Sequence, residues 1–257
     1  MTATLKFGNK ISIADVRKLS AMKDVVFDRD WFLKAEDREL YYMFRDLAKN
    51  DSDLELIKAR HLRYDITRIP AGRLGSEYVK TLGHYHPEVT GTGVSYPELY
   101  QILEGSATYL LQKRAKGRDD IIEDFAVLEA AAGDCVLVPP GYGHITVNVS
   151  DEELTMANWV CRDFSSIYAP IGNLGGAAYY LLEAGFVKNS RYKDMPPVRY
   201  LKPGDFSELG LVSGKDMYDL VLDEDKLGFL TAPQDFTSFF EGVLESSTPE
   251  LKTQKTV

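Results

Sequence analysis

The sequence predicts an all-β core, an antiparallel sandwich or barrel, with helical extensions at both ends. Three observations carry this. From about Arg63 to Phe164 short apolar runs alternate with period two, turn clusters break them (Pro-Ala-Gly, Leu-Glu-Gly, Ala-Ala-Gly-Asp, Pro-Pro-Gly-Tyr-Gly), and outside this region the apolar period shifts to three and four. Six or more strands at that spacing fit a sandwich or barrel.

In chain order, residues 1–60 read as a helical and strand lead-in packing on the barrel. Its expected helical pieces are Ser12 to Leu19, Asp28 to Lys34 and Tyr41 to Leu56. Residues 61–168 form the barrel itself. Beyond Tyr168, residues 169–257 read as a C-terminal helical extension in which Gly172-Asn-Leu-Gly-Gly opens a helix over Ala177 to Ala184, stopped by Gly185. Asp235 to Leu244 is expected to form a last short helix, and Ser246 to Val257 a loose end. The segment from Lys188 onward carries no motif with chemistry and reads as a structural appendage.

Composition narrows the function classes. The 257 residues include 30 Lys+Arg against 39 Asp+Glu, a formal net charge of -9, the wrong sign for a broad nucleic-acid footprint. A small anion is still admissible, because a pocket sets its own potential. The two cysteines, Cys135 and Cys161, lie in apolar runs and read as buried small hydrophobes in a reducing compartment. With no apolar leader and no run of eighteen apolar residues, the expectation is a soluble, cytoplasmic protein with no membrane partner.

The histidines point to a metal. His84 and His86 sit at i and i+2, which on a strand aims two imidazoles at one point. The next strand puts Glu98, Tyr100 and Ile102 on one face before Glu104-Gly105 reverses the chain, so Glu98 is placed to add an oxygen ligand. His144, following Pro-Pro-Gly-Tyr-Gly, shares a face with Thr146 and Asn148 and brings a third imidazole. Three His and one Glu leave one or two coordination positions open on a first-row metal, as a catalytic site requires. A lone strand histidine is more often a satisfied polar residue; the joint pattern is far more specific.

These residues resemble the two cupin motifs. The second matches at Gly133, Pro139, Gly141, His144 and Asn148 with the family's spacing, and the first at His84-x-His86 and at Glu98 followed by six residues and Gly105. Eleven residues, Pro87 to Pro97, separate His86 from Glu98, where most cupins have three or four. Glu88 is the rival ligand at i+2 from His86, but Pro87 breaks that ladder and only Glu98 has the Gly105 spacing. The stretches Thr67 to His86 and Glu98 to Gln112 further resemble the cupin-type phosphoglucose isomerases, over roughly Tyr41 to Phe186. The implied fold is a cupin double-stranded β-helix, or jelly-roll barrel.

The resemblance implies an isomerase that interconverts an aldose phosphate and a ketose phosphate, glucose 6-phosphate and fructose 6-phosphate, within glycolysis and gluconeogenesis. By it, His84, His86, Glu98 and His144 hold a divalent metal. Fe(II) is the expected ion, with Mn, Ni and Zn as alternatives. The hydrogen moves between C1 and C2 either through a cis-enediol or by a metal-assisted hydride shift; on the enediol path Glu98 doubles as the base as its hold on the metal loosens, and Tyr100, on the same face, is the candidate to handle a proton at a sugar oxygen. Thr67, Thr81 and Gly83 hold the phosphate, with Tyr168 reaching it from the far side and Tyr41 as a further contact. A homodimer is implied as well. One departure stands out, since Val160 falls where the family typically has a tyrosine. The competing readings are a dioxygenase- or oxidase-type cupin enzyme and a non-catalytic sugar-binding cupin.

Overall fold

The computed structural model describes residues 3–211, 215–223, 226–241 and 243–244. The alternating middle of the chain forms two curled sheets that face each other across one interior. One has six strands in the order β11-β8-β13-β5-β4-β3: Cys135–Val138 (β11), Glu98–Glu104 (β8), Leu154–Cys161 (β13), Leu62–Ile69 (β5), Glu39–Phe44 (β4) and Asp15–Lys18 (β3). The other runs β15-β14-β7-β12-β9-β10-β16: Gly185–Lys188, Tyr179–Leu182, Glu77–Lys80, Tyr142–Asn148, Ser106–Ala115, Arg118–Ala131 and Arg199–Leu201, with Arg73–Leu74 (β6) added on β7. All these pairings are antiparallel except β10 with β16. The β8–β9 reversal depends on Gly105, whose φ of +74° suits glycine and where a Cβ would stand 2.7 Å from the Glu153 carbonyl oxygen.

Both ends of the chain contribute strands where helices were expected. Residues 12–18 are not helical: Lys10–Ile13 (β2) pairs with Thr4–Phe7 (β1), and β3 pairs with β4, with Leu19 opening a 3-10 turn over Leu19–Met22. Of the expected helix from Tyr41 to Leu56, the first part is β4, whose Leu-Tyr-Tyr-Met-Phe run fills the place between β3 and β5. Helix is confined to Asp51–Ala59 (α2), capped by the Asn50 side chain accepting from the Asp53 amide at 2.9 Å. The Asp28 piece is a single turn, Arg29–Phe32 (α1), capped by Asp28.

Ala177 to Ala184 is likewise no helix. Tyr-Tyr-Leu-Leu is a β-prone run, and as β14 it forms a hairpin with β15 while touching β7 through Leu182 and Glu77. The helical turn comes earlier, at Ala169–Asn173 (α3). The expected last helix is present as Thr237–Glu241 (α4), after a 3-10 turn at Pro233–Phe236, and Ser246 to Val257 lies outside the described residues.

Two hydrophobic clusters result. One fills the barrel interior and the β9–β10 face; the other covers the outside of the six-stranded sheet, where Phe44, Tyr64, Leu99 and Trp159 meet Met217, Tyr218 and Phe229 from the C-terminal segment. Polar contacts fix that segment in place. Trp159 Nε1 donates to the Met217 carbonyl at 2.9 Å, and the Tyr218 hydroxyl accepts from the Lys49 amide while donating to Asp53. Cys135 and Cys161 are buried free thiols, and burial pushes Cys135 up to about 12. Among the described residues no helix is long and apolar enough to cross a membrane.

Candidate metal centre and active site

Register sets which side chains share the interior. Along β13, Met156, Asn158 and Val160 point inward; on one side they stand opposite Thr67, Asp65 and Arg63 of β5, and on the other opposite Ile102, Tyr100 and Glu98 of β8. The facing sheet supplies the histidines. His84 and His144 exchange backbone hydrogen bonds of 3.3 and 3.0 Å, while Tyr85 bridges to Ile167 and turns its ring outward to accept from Gln112. That alternation leaves His84 and His86 aimed inward together.

The four ligand-type side chains converge. One donor atom from each of His84, His86, Glu98 and His144 can be chosen so that all lie within 4.8 Å of one another. Glu98 Oε2 stands 3.3 Å from His86 Nε2 and 3.2 Å from His144 Nε2, and the Nε2 atoms of His84 and His86 are 3.1 Å apart. Glu98 Oε2 is nonetheless buried without a hydrogen-bond partner. An orphaned carboxylate oxygen facing three converging imidazole nitrogens fits a divalent cation, which satisfies all four donors at once. Glu88, the rival carboxylate, is exposed on the loop and outside the cluster.

Electrostatics agree with that use. Burial alone would raise the Glu98 carboxyl, but the facing His144 and His86 outweigh it and hold the group well below the carboxylate range. Burial and the neighbouring imidazoles push His84 well below its ordinary value, and burial lowers His144 as well, so both offer neutral lone pairs. Burial, with the Glu98 charge behind it, raises Tyr100 well above the phenol range, and its hydroxyl stands 3.0 Å from His144 Nε2.

Every residue given a site role lines one open cavity: the four ligand-type groups and Tyr100, and with them Tyr41, Thr67, Thr81, Gly83 and Tyr168. Gly83 has φ +79°, and a Cβ there would stand 2.5 Å from Ile145 Cγ1. The Tyr41 hydroxyl accepts from the Leu82 amide at 3.1 Å, and Thr81 Oγ1 accepts from the Thr146 amide at 3.0 Å. Val160 faces the cavity.

Sequence reasoning missed the charged lining. Arg17, Arg45, Arg63, Asp65, Asn158 and Phe164 also border the cavity. Arg63 and Asp65 lie four and two residues before Thr67 on β5, so the same alternation that placed Thr67 inward held a signal for them. Arg17 gave none, because its segment reads as helix.

Comparison with known proteins agrees with this geometry. A family model described as glucose-6-phosphate isomerase matches residues 16–197. The glucose-6-phosphate isomerase of Pyrococcus horikoshii is 28% identical over 182 residues, covering 70% of this chain and 88% of that protein. That of Thermococcus litoralis is 27% identical over 172 residues, covering 67% and 82%. Among solved structures, an oxalate decarboxylase from Lactobacillus farciminis overlaps 51% of this chain and 32% of its own at 18% identity and a TM-score of 0.37. With the family match running from β3 through β15, well over half of the sequence, this chain belongs to the glucose-6-phosphate isomerase family.

Proposed function

We propose that this chain is a metal-dependent aldose–ketose isomerase that interconverts glucose 6-phosphate and fructose 6-phosphate. The observation that carries the reading is the shared cavity: four convergent donor groups at one part of it, and two threonine side chains, a glycine backbone and two tyrosines at another. The donors suit a metal and the hydroxyl-rich end suits a phosphate.

In this reading His84, His86, Glu98 and His144 hold a divalent ion, Fe(II) first, with Mn, Ni and Zn as alternatives. When bound, such an ion supplies polarisation of the sugar carbonyl and fixed geometry for O1 and O2. Thr67, Thr81, the Gly83 backbone, Tyr168 and Tyr41 hold the phosphate and so set where C1 and C2 lie. Glu98, anionic at neutral pH, takes the C2 proton of the opened aldose and returns it to C1, while the O2 hydroxyl proton passes to O1. Tyr100 stays a phenol and donates to a sugar oxygen as charge develops there. Further parts of the proposal are a cytoplasmic homodimer working in glycolysis and gluconeogenesis, and a division into lead-in 1–60, barrel 61–168 and extension 169–257. The two buried thiols support a reducing compartment.

The test is a coupled assay for conversion of fructose 6-phosphate to glucose 6-phosphate, before and after chelation and with Fe(II) or Mn(II) restored. Turnover that is lost on chelation and regained on metal addition is expected, and Glu98→Ala is expected to abolish it with an unchanged circular dichroism spectrum. Full activity after exhaustive metal removal would overturn the metal role, and no activity with any of the four ions would overturn the reaction.

A further inference from the structure

Three guanidinium groups border the cavity, and two of them are already paired. Arg63 Nε donates to both carboxylate oxygens of Asp65 at 3.1 and 2.9 Å. Arg45 lies 3.5 Å from an Asp15 oxygen and 3.6 Å from one of Asp65. Arg17 differs. Among the described residues no carboxylate stands within ion-pair distance of it, and its Nε is buried with no hydrogen-bond partner.

Its position is equally specific. Arg17 lies on β3 opposite Tyr41, and a register shift between Arg17 and Lys18 breaks the regular ladder there, a device that re-aims a side chain. The guanidinium carbon stands 6.0 Å from the ring centroid of Tyr41 and 6.0 Å from that of Tyr168. The Tyr41 hydroxyl in turn caps the Leu82 amide, between Thr81 and Gly83. The unpaired cation therefore stands over the hydroxyl-rich end of the cavity, whereas Arg63 stands in register with Val160 and Glu98.

A half-buried guanidinium with an unsatisfied donor costs free energy unless a ligand completes it. The ligand chemistry that suits a planar fork flanked by hydroxyls is a phosphate dianion. We propose that Arg17 binds the phosphate of the substrate and makes the enzyme prefer phosphorylated over unphosphorylated sugar. The proposal rests on the sugar-phosphate reading above and adds to it a cation delivered by the N-terminal strand. It also explains how a chain of net charge -9 accepts a dianion: the one cavity guanidinium without a carboxylate partner, among the described residues, sits where the phosphate goes.

The experiment compares the wild-type protein with Arg17→Gln and Arg17→Lys in two assays: KM and kcat for fructose 6-phosphate, and the Kd of inorganic phosphate. For Arg17→Gln we expect KM and phosphate Kd both to rise about tenfold to a hundredfold, the loss of a charged hydrogen-bonding partner, with kcat changed by less than about threefold. Arg17→Lys, which keeps the charge and the fold, is expected to fall between. A purely structural role would lower kcat and melting temperature while leaving phosphate affinity alone. KM and phosphate Kd within about twofold of wild type in Arg17→Lys and Arg17→Gln would overturn the proposal. The two readings fail separately. Phosphate bound through Arg17 without turnover of fructose 6-phosphate would remove the isomerase and keep the site, and turnover insensitive to Arg17 would do the reverse.

Discussion

The Tyr96 carbonyl oxygen stands 3.0 Å from Nδ1 of His86. A carbonyl can only accept, so Nδ1 carries the proton and Nε2 presents its lone pair toward Glu98. The eleven-residue segment between the first motif's histidines and Glu98 thus has a structural use. It folds as a small hairpin, with the Val89 amide donating to Val94, and returns Tyr96 to the metal-ligand cluster. Tyr96 stacks on Phe164 at 4.8 Å, and Phe164 packs on His86 at 4.5 Å.

That arrangement makes Phe164 a support for a ligand. Phe164→Ala is expected to loosen both the Tyr96 carbonyl and the His86 ring, weakening metal affinity about tenfold, in the range for lost outer partners of metal ligands. Metal titration of the purified apoprotein measures it. An unchanged Kd would show that this segment does not orient His86.

Tyr100 and Glu98 separate by function although they share a face of β8. In the proposed reaction Tyr100, held neutral by burial, donates a hydrogen bond and does not accept the proton taken from C2. Tyr100→Phe is expected to lower kcat by roughly 10²-fold, in the range for one lost hydrogen-bond donor to a developing oxyanion, with metal Kd within about threefold of wild type. Glu98→Gln is expected to lower kcat and to raise the metal Kd. Equal losses of metal affinity in the two variants would contradict this division.

The site was more legible in the sequence than the fold around it. His84, His86, Glu98 and His144 could be found because strand alternation and motif spacing are local signals that survive without tertiary context. Arg17 could not. Whether residues 12–18 form a strand depends on β4 lying beside them, and β4 itself reads as helix until β5 is in place. The same holds for β14, whose partners are a hairpin return and the far end of β7. These elements get their structure from pairing with the barrel, and the period-three spacing of their apolar residues is an accident of short strands separated by turns.

Gly83 ties the proposed phosphate site to the facing strand. Its positive φ favours glycine, and the space for a Cβ is taken by Ile145. Gly83→Ala is expected to cost about 2–4 kcal/mol, combining left-handed backbone strain with overpacking. Ile145→Ala alone should cost about 2–5 kcal/mol as a large-to-small core change; in the double variant the overpacking part is relieved and the backbone part stays, so the double costs less than the sum of the two singles. Urea denaturation measures all four proteins. Strict additivity of the two single changes would show that the alanine methyl and Ile145 do not meet.

The C-terminal extension is held to the barrel by a charge pair whose pH dependence can be worked out. Arg199 at the start of β16 donates through Nε and Nη2 to the two oxygens of Asp124 on β10, each at 2.6 Å, and the Tyr142 hydroxyl donates to the same carboxylate at 2.6 Å. Burial would raise the Asp124 carboxyl, but Arg199 and Tyr142 outweigh it and hold it below the usual value. A carboxyl depressed in the folded state stabilises above its unfolded pKa of about 3.9, and that contribution is lost as pH falls through the folded value. Asp124→Asn should therefore be less stable than wild type by roughly 1 kcal/mol at pH 7, the partly exposed pair contributing modestly. The gap should hold to about pH 4 and close below it, as the wild-type carboxyl is protonated and comes to resemble the amide. Urea midpoints of the apoprotein at pH 7, 4 and 3 test this, and a gap that stays constant down to pH 3 would mean that the pairing of Asp124 with Arg199 contributes nothing that depends on its charge.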